Sequence, residues 1–188
     1  MLSYVDSVAS RLNIPDNARD EAKDVLRIIL QSGRKQFVAA AVASCLYLAC
    51  KKYQLPITMQ EIGNAVEPKV NRHVIGRKCT SLYRLLYSDS PPKTMPPEAY
   101  VYRIASALKC SHSVVQHSLE LIRWAKAAGS LVSGKHPAVI AAAALYLSAM
   151  KHGDALPQAE LASKAGLADS KSLRRVIAIL EKVDVEHP

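Results

Sequence analysis

Two stretches of this chain coincide without a gap when one is shifted by 99 positions, and no other feature restricts the possible folds as strongly. Val42 to Ala65 (VASCLYLACKKYQLPITMQEIGNA) lies over Ala141 to Lys164 (AAAALYLSAMKHGDALPQAELASK). Leu46, Tyr47 and Leu48 then fall on Leu145, Tyr146 and Leu147, Lys52 on Lys151, Glu61 on Glu160 and Ile62 on Leu161. Upstream the register is 96: Tyr4, Val5, Ala9, Ser10, Leu12 and Gly33 meet Tyr100, Val101, Ala105, Ser106, Leu108 and Gly129. A three-residue difference in one loop accounts for the change of register. The 188 residues are therefore a tandem duplication of a unit just over ninety residues long. The expected division is a first domain over residues 1–88, a linker over 89–97 and a second domain over 98–188. The segment Ser88 to Pro97 (SDSPPKTMPP) supplies the linker, which its four prolines make semi-rigid.

Within each unit the apolar residues recur at helical spacing, and no alternating run bounded by turns is found. The fold class expected is all-α, with five helices per unit. In the first, Ser3 to Leu12 turns Val5, Val8, Ala9 and Leu12 to one side. Asp16 to Gln31 carries Ala22, Val25, Leu26 and Ile29 inward, with Gly33 beyond its end. Gln36 to Tyr53 is apolar almost all round, the composition of a helix buried on most sides. Thr58 with Glu61 three residues on has capping-box spacing for a short helix, and a basic helix follows over Asn71 to Tyr87. The second unit repeats the plan over Pro97–Leu108, Ser111–Ala128, Pro137–Lys151, Pro157–Ala165 and Ser170 to about Lys182, with the last residues frayed.

A net charge of +9 implies an acidic partner, and nucleic acid is the commonest. No apolar run reaches the roughly 18 residues of a membrane span, and no signal-peptide pattern opens the chain, so a soluble intracellular protein is expected. Cys45, Cys50, Cys79 and Cys110 include no CxxC pair, and Cys45 and Cys50 align with Ala144 and Ala149, which marks them as small core fillers. Reduced thiols fit a cytosol or nucleus.

Candidate chemistry lies in basic helix starts. Ala162 followed four residues later by Gly166 has helix-turn-helix spacing, the small residue allowing close approach and glycine taking the turn. The next helix brings Lys171, Arg174 and Arg175 near its start, where side chains reach phosphates or base edges. The same residues also fit an ordinary helical hairpin with a solvated basic face. The loops before the two buried helices are basic as well, Gly33-Arg34-Lys35 and Gly134-Lys135-His136, and suit a phosphate. The last helix of the first unit holds Arg72, His73, Arg77, Lys78 and Arg84; Arg77 and Arg84, seven apart, share a face, and one stripe can meet DNA while another meets an acidic protein. No HExxH, no Cys/His cluster at metal spacing, no phosphate-cradling glycine loop and no nucleophile motif is present, so neither catalysis nor a cofactor or metal is expected. Tyr47 and Tyr146, at equivalent positions, read as core rather than as stacking platforms.

Taken together, these segments resemble the cyclin-fold core of transcription factor IIB and its archaeal counterpart, over nearly the whole chain. GKHPAVIAAAALYLSA (Gly134 to Ala149) resembles that family's GKSPxGxAAAAxYxA, and GRKQFVAAAVASCLYLACKK (Gly33 to Lys52) its first-repeat GRSxxxxxAAxxYxACR with a longer spacer. LPITMQEIGNAV (Leu55 to Val66) is similar to VPRTxxEIxxVS, IGRKCTSLYRLL (Ile75 to Leu86) to IGRxxxxLxxxL, and AELASKAGLADSKSLRRV (Ala159 to Val176), loosely, to QxEIAxxAGVxxVTxRxxY. The resemblance implies two tandem five-helix cyclin-like domains and a monomeric, non-enzymatic general initiation factor core. Such a core binds TATA-binding protein and promoter DNA and helps recruit an RNA polymerase. On this view Arg34, Lys35, Lys135, His136, Lys171, Arg174 and Arg175 meet DNA, and Arg72, His73, Arg77 and Lys78 meet TATA-binding protein. The chain departs from the family where Ser170, Lys171, Ser172 and Leu173 stand for VTxR and where Ile57 replaces the arginine of VPRT. Phosphate contact is therefore expected ahead of base reading. The family's zinc ribbon and reader segment have no counterpart in the sequence, so polymerase contact is expected through segments outside it. A kinase-regulating cyclin would need an MRxxLxxW-type helix, which is missing; the related RNA polymerase III factor stays open as an alternative. Abundant Ser, Gln, His and Cys with few Glu favours a nucleus over an archaeal cytoplasm.

Overall fold

Why two helices of this chain disappear from solvent is explained by their alanines. The computed structural model describes residues 1–31, 37–86, 95–129, 135–154, 156–167 and 170–186, and among these it contains ten helices and no strand. They belong to two units, Met1–Thr94 and Met95–Pro188, each a five-helix cyclin-like domain. In the first, α1 (Leu2–Arg11), α2 (Asp16–Gln31), α4 (Met59–Ala65) and α5 (Arg72–Leu86) surround α3 (Val38–Lys52). Every residue from Ala39 to Cys50 is buried, the small side chains letting neighbouring helices approach α3 from all sides. In the second, α6 (Pro97–Leu108), α7 (His112–Ala127), α9 (Gln158–Lys164) and α10 (Lys171–Glu186) surround α8 (Pro137–Lys151), which is buried from Ala138 to Ala149 except for half-exposed Tyr146.

The larger side chains fill what the alanines leave. Leu26, Leu46, Ile62 and Ile75 are fully buried in the first core, and Ile104, Leu121, Leu145, Leu161, Leu173 and Leu180 in the second. Each such burial stabilises by roughly 1.5–3 kcal/mol. Cys45, Cys50 and Cys79 are buried beside them, and burial pushes each thiol up to about 12, so all three stay protonated core fillers. Tyr47 is likewise a core residue.

Local signals placed most helix ends correctly. Thr58 Oγ1 accepts from the Glu61 amide at 3.2 Å and Glu61 Oε2 accepts from the Thr58 amide at 2.8 Å, completing the capping box. Ser111 caps α7 through the Val114 amide, and Pro97 and Pro137 occupy the first turns of α6 and α8. The expectation of a frayed end after Lys182 is corrected: α10 continues to Glu186, because Val183 is buried in the second core and Asp184 is tied to neighbouring helices. Of the proline-rich segment, residues 88–94 lie outside the described residues; Met95 is buried in the second unit's core. No described helix is long and apolar enough to cross a membrane.

Candidate nucleic-acid interface

The short helix α9 carries Leu161 and Ala162 into the core, and its small size at Ala162 lets the chain turn back directly over it. The Leu167 amide donates to Ala162 O at 2.9 Å and the Gly166 amide to Ser163 O at 3.0 Å. Gly166 takes φ +63°, in the left-handed region where a Cβ is costly. Helix α10 then buries Leu173, Val176, Ile177, Leu180 and Val183, a spacing that fixes its inward stripe. Lys171, Arg174 and Arg175 are left exposed on its first two turns. At about 100° per residue, Lys171 neighbours both Arg174 and Arg175, so the three cations form one patch. Arg174 Nη2 donates to Ser170 Oγ at 3.1 Å, which steadies this guanidinium at the helix start.

The other basic sites expected on DNA fare differently. Lys135 is exposed just ahead of α8. His136 is the N-cap of α8: its Nδ1 accepts from the Ala138 amide at 3.2 Å, and its ring meets Tyr100 edge-on at 5.8 Å between centroids. That nitrogen is committed to the helix. Arg34 and Lys35 lie outside the described residues.

In the first unit the segment from α4 to α5 is drawn in tightly. A Cβ on Gly63 would stand 2.2 Å from Val70 O, and the Val70 amide donates to Gly63 O at 2.9 Å. The four residues expected to meet an acidic protein do not share one face of α5. His73 and Arg77 fall on the same side as Arg84, whereas Arg72 and Lys78 point elsewhere by the helical period. Lys78 is half-buried, and burial holds its ammonium below the usual lysine range. Arg77, Thr80, Ser81, Arg84 and Leu85 line a shallow groove of about 420 Å³, with the two arginines about 10 Å apart along the axis.

A partly buried polar cluster, invisible to motif reading, secures the far end of α10. His117 of α7 places Nδ1 3.0 Å from Ser148 Oγ and Nε2 3.1 Å from Asp184 Oδ1. Lys151 Nζ donates to the same carboxylate oxygen at 3.2 Å and lies 3.3 Å from His117 Nε2. The rings of Trp124 and His152 meet the imidazole edge-on. Burial holds His117 below the usual histidine range; Asp184 opposes this, and Lys151 and His152 reinforce it. Ser, His and Asp stand in triad order here, but Ser148 is fully buried, so its hydroxyl offers no substrate an approach. The duplication explains the cluster. His117 occupies the place of Glu21, and Lys151 that of Lys52, whose Nζ donates to Glu21 Oε2 at 2.6 Å. Where the second unit has lost that glutamate, α10 returns a carboxylate through Asp184, at the position of Leu85. A pairing register across the two repeats was the signal that could have found it.

Comparison with known proteins agrees with this arrangement. The family model described as Transcription factor TFIIB repeat matches residues 2–85 and again 92–182. Transcription initiation factor IIB 1 of Thermococcus kodakarensis is 31% identical over 189 residues, covering 100% of this chain and 62% of that protein. Transcription initiation factor IIB of Saccharolobus shibatae is 31% identical over 191 residues, covering 100% and 60%. Its namesake from Methanosphaerula palustris is 33% identical over 189 residues, covering 98% and 54%. The chain thus spans somewhat over half the length of these relatives. Two matched repeats, each coinciding with one five-helix unit, place this chain in the transcription factor TFIIB repeat family.

Proposed function

We propose that this chain is the core of a general transcription initiation factor that binds promoter DNA and TATA-binding protein and helps to recruit an RNA polymerase. One observation carries the reading: the tight turn at Gly166 presents Lys171, Arg174 and Arg175 as a single exposed cationic patch at the start of α10. Helix starts of this kind offer amide groups and cations together, the combination that holds a phosphate backbone. The net charge of +9 supports the same partner. Relatives that carry the name transcription initiation factor support the process.

Binding here is of the positioning type. Lys171, Arg174 and Arg175 grip phosphates, with Lys135, Arg34 and Lys35 as further contacts. The stripe of α5 with His73 and Arg77 faces the acidic surface of TATA-binding protein, with Arg72 and Lys78 reaching it only from the flanks. Catalysis plays no part in this role. The protein acts as a monomer where promoters are, in a nucleus or an archaeal cytoplasm.

An electrophoretic shift of a TATA-box duplex, run with and without TATA-binding protein, tests this. The expected result is a supershifted ternary complex that weakens steeply as salt rises, because each phosphate contact contributes a slope of about −0.9 in log K against log salt. No supershift at low salt, together with binding to a cyclin-dependent kinase, would sink the proposal in favour of a kinase-regulating cyclin.

A further inference from the structure

In both units an arginine of the first helix reaches across to the end of the fourth. In the second unit Arg103 of α6 donates from Nη2 to Lys164 O at 3.4 Å. In the first, Arg11 of α1 donates from Nη1 to Ala65 O at 3.1 Å. Ala65 and Lys164 are equivalent residues, 99 positions apart, and each is the last residue of its short helix. The two arginines are not equivalent. At the register of 96 for this part of the repeat, Arg103 corresponds to Ser7 and Arg11 to Ala107. Arg11 also touches Ser7, its Nη2 donating to Ser7 Oγ at 3.4 Å. The same carbonyl is therefore met in both repeats by a guanidinium from a different rung of the first helix. Direct inheritance of one arginine through the duplication does not give that pattern; a requirement at the carbonyl does.

The requirement has a physical origin. A seven-residue helix leaves most of its last carbonyls without intrahelical partners, and a helix this short is marginal without tertiary support. A cation at its C-terminus satisfies a carbonyl and opposes the negative end of the helix dipole. In the second unit the carbonyl of Lys164 immediately precedes the turn through Ala165, Gly166 and Leu167 that delivers α10. Arg103 is half-buried, lies over the Tyr100 ring at 5.7 Å, and so is itself held in place.

We propose that Arg103 is a positioning residue for the interface: it ties the end of α9 to α6, fixing the turn and with it the pose of Lys171, Arg174 and Arg175, without touching DNA. The DNA consequence rests on the proposed function, whereas the tether itself does not, and two measurements separate them. The first is hydrogen exchange at the amides of Ala165, Gly166 and Leu167 in the whole chain. Arg103→Ala should speed exchange there by about tenfold relative to the wild type, a change corresponding to 1.4 kcal/mol of local opening, and Arg103→Lys should restore part of it. The second is TATA-duplex affinity against salt, measured where circular dichroism shows the variant folded. Arg103→Ala should weaken binding about five- to tenfold with an unchanged slope, whereas Arg174→Ala should flatten the slope by about one contact. Unchanged exchange at the turn would overturn the tether, whether or not the wild type binds DNA. A slope flattened by Arg103→Ala would also overturn the proposal, because Arg103 would then be a phosphate ligand. If the wild type fails to bind the duplex while exchange at the turn still rises in Arg103→Ala, the functional reading falls and the tether stands.

Discussion

Removing the carboxylate of Asp184 should destabilise the second unit by about 2 kcal/mol, although Asp184 lies near a helix end. Asp184 accepts from His117 Nε2 at 3.1 Å and from Lys151 Nζ at 3.2 Å. The imidazole is only 10% exposed, so Asp184→Ala leaves a desolvated ring nitrogen without its partner; a hydrogen bond to a charged group contributes about 1.5–3 kcal/mol. The lysine is 40% exposed, and its pairing adds less than about 1 kcal/mol. Against these, a carboxylate in the last turn of α10 opposes the helix dipole, and its removal returns about 0.3–1 kcal/mol. Urea unfolding followed by fluorescence of Trp124 reads the second unit selectively, since this is the single tryptophan and its ring lies 6.1 Å from that of His117. With a slope of about 1–3 kcal/mol per molar urea, the midpoint should fall by roughly 1 M. The combination His117→Glu with Asp184→Leu, which transplants the Glu21–Lys52 solution of the first unit, should recover most of the loss. A loss below about 0.5 kcal/mol in Asp184→Ala would show that the lysine node does not need its carboxylate, and no recovery in the transplant would show that the two repeats' solutions are not interchangeable.

The same cluster makes stability depend on pH in a definite sense. Burial lowers His117 in the folded state, so below the unfolded value of 6.5 the unfolded chain binds the extra proton; stability should be full above that pH and decline as pH falls toward the folded value. His117→Gln should flatten that decline in urea midpoints taken across the range. Gly63→Ala should cost more than about 2 kcal/mol in thermal melts, since the added Cβ meets backbone oxygen of Val70 at 2.2 Å rather than a movable side chain. Thr58→Ala, which removes one half of the capping box, should cost about 1 kcal/mol in the same assay. Arg174→Ala with Arg175→Ala should leave the melting curve within about 0.5 kcal/mol of wild type, both residues being exposed, while reducing the salt slope of ternary-complex formation by about two contacts.

Much of this protein was legible from order alone. The self-match at 96 and 99 residues reveals the duplication, and the apolar runs around Leu46 and Leu145 mark the two helices that become buried centres. The capping box at Thr58 and Glu61, and the turn signal at Ala162 and Gly166, are equally local. All of these rest on the helical period or on groups a few residues apart, and such relations are written directly into the chain. What tertiary structure alone decided is which distant groups meet. His117 finds Asp184 across 67 positions, and Arg103 finds Lys164 O across 61. Neither pairing repeats residue for residue: Glu21 became His117 and the acid reappeared on α10, while the carbonyl of Lys164, equivalent to that of Ala65, is met by an arginine from a different turn of the first helix. The extension of α10 to Glu186 follows the same rule. Local hydrogen bonding sets where a helix forms, but the partners of its side chains depend on the packing of whole helices, which allows one charge to be balanced from more than one direction.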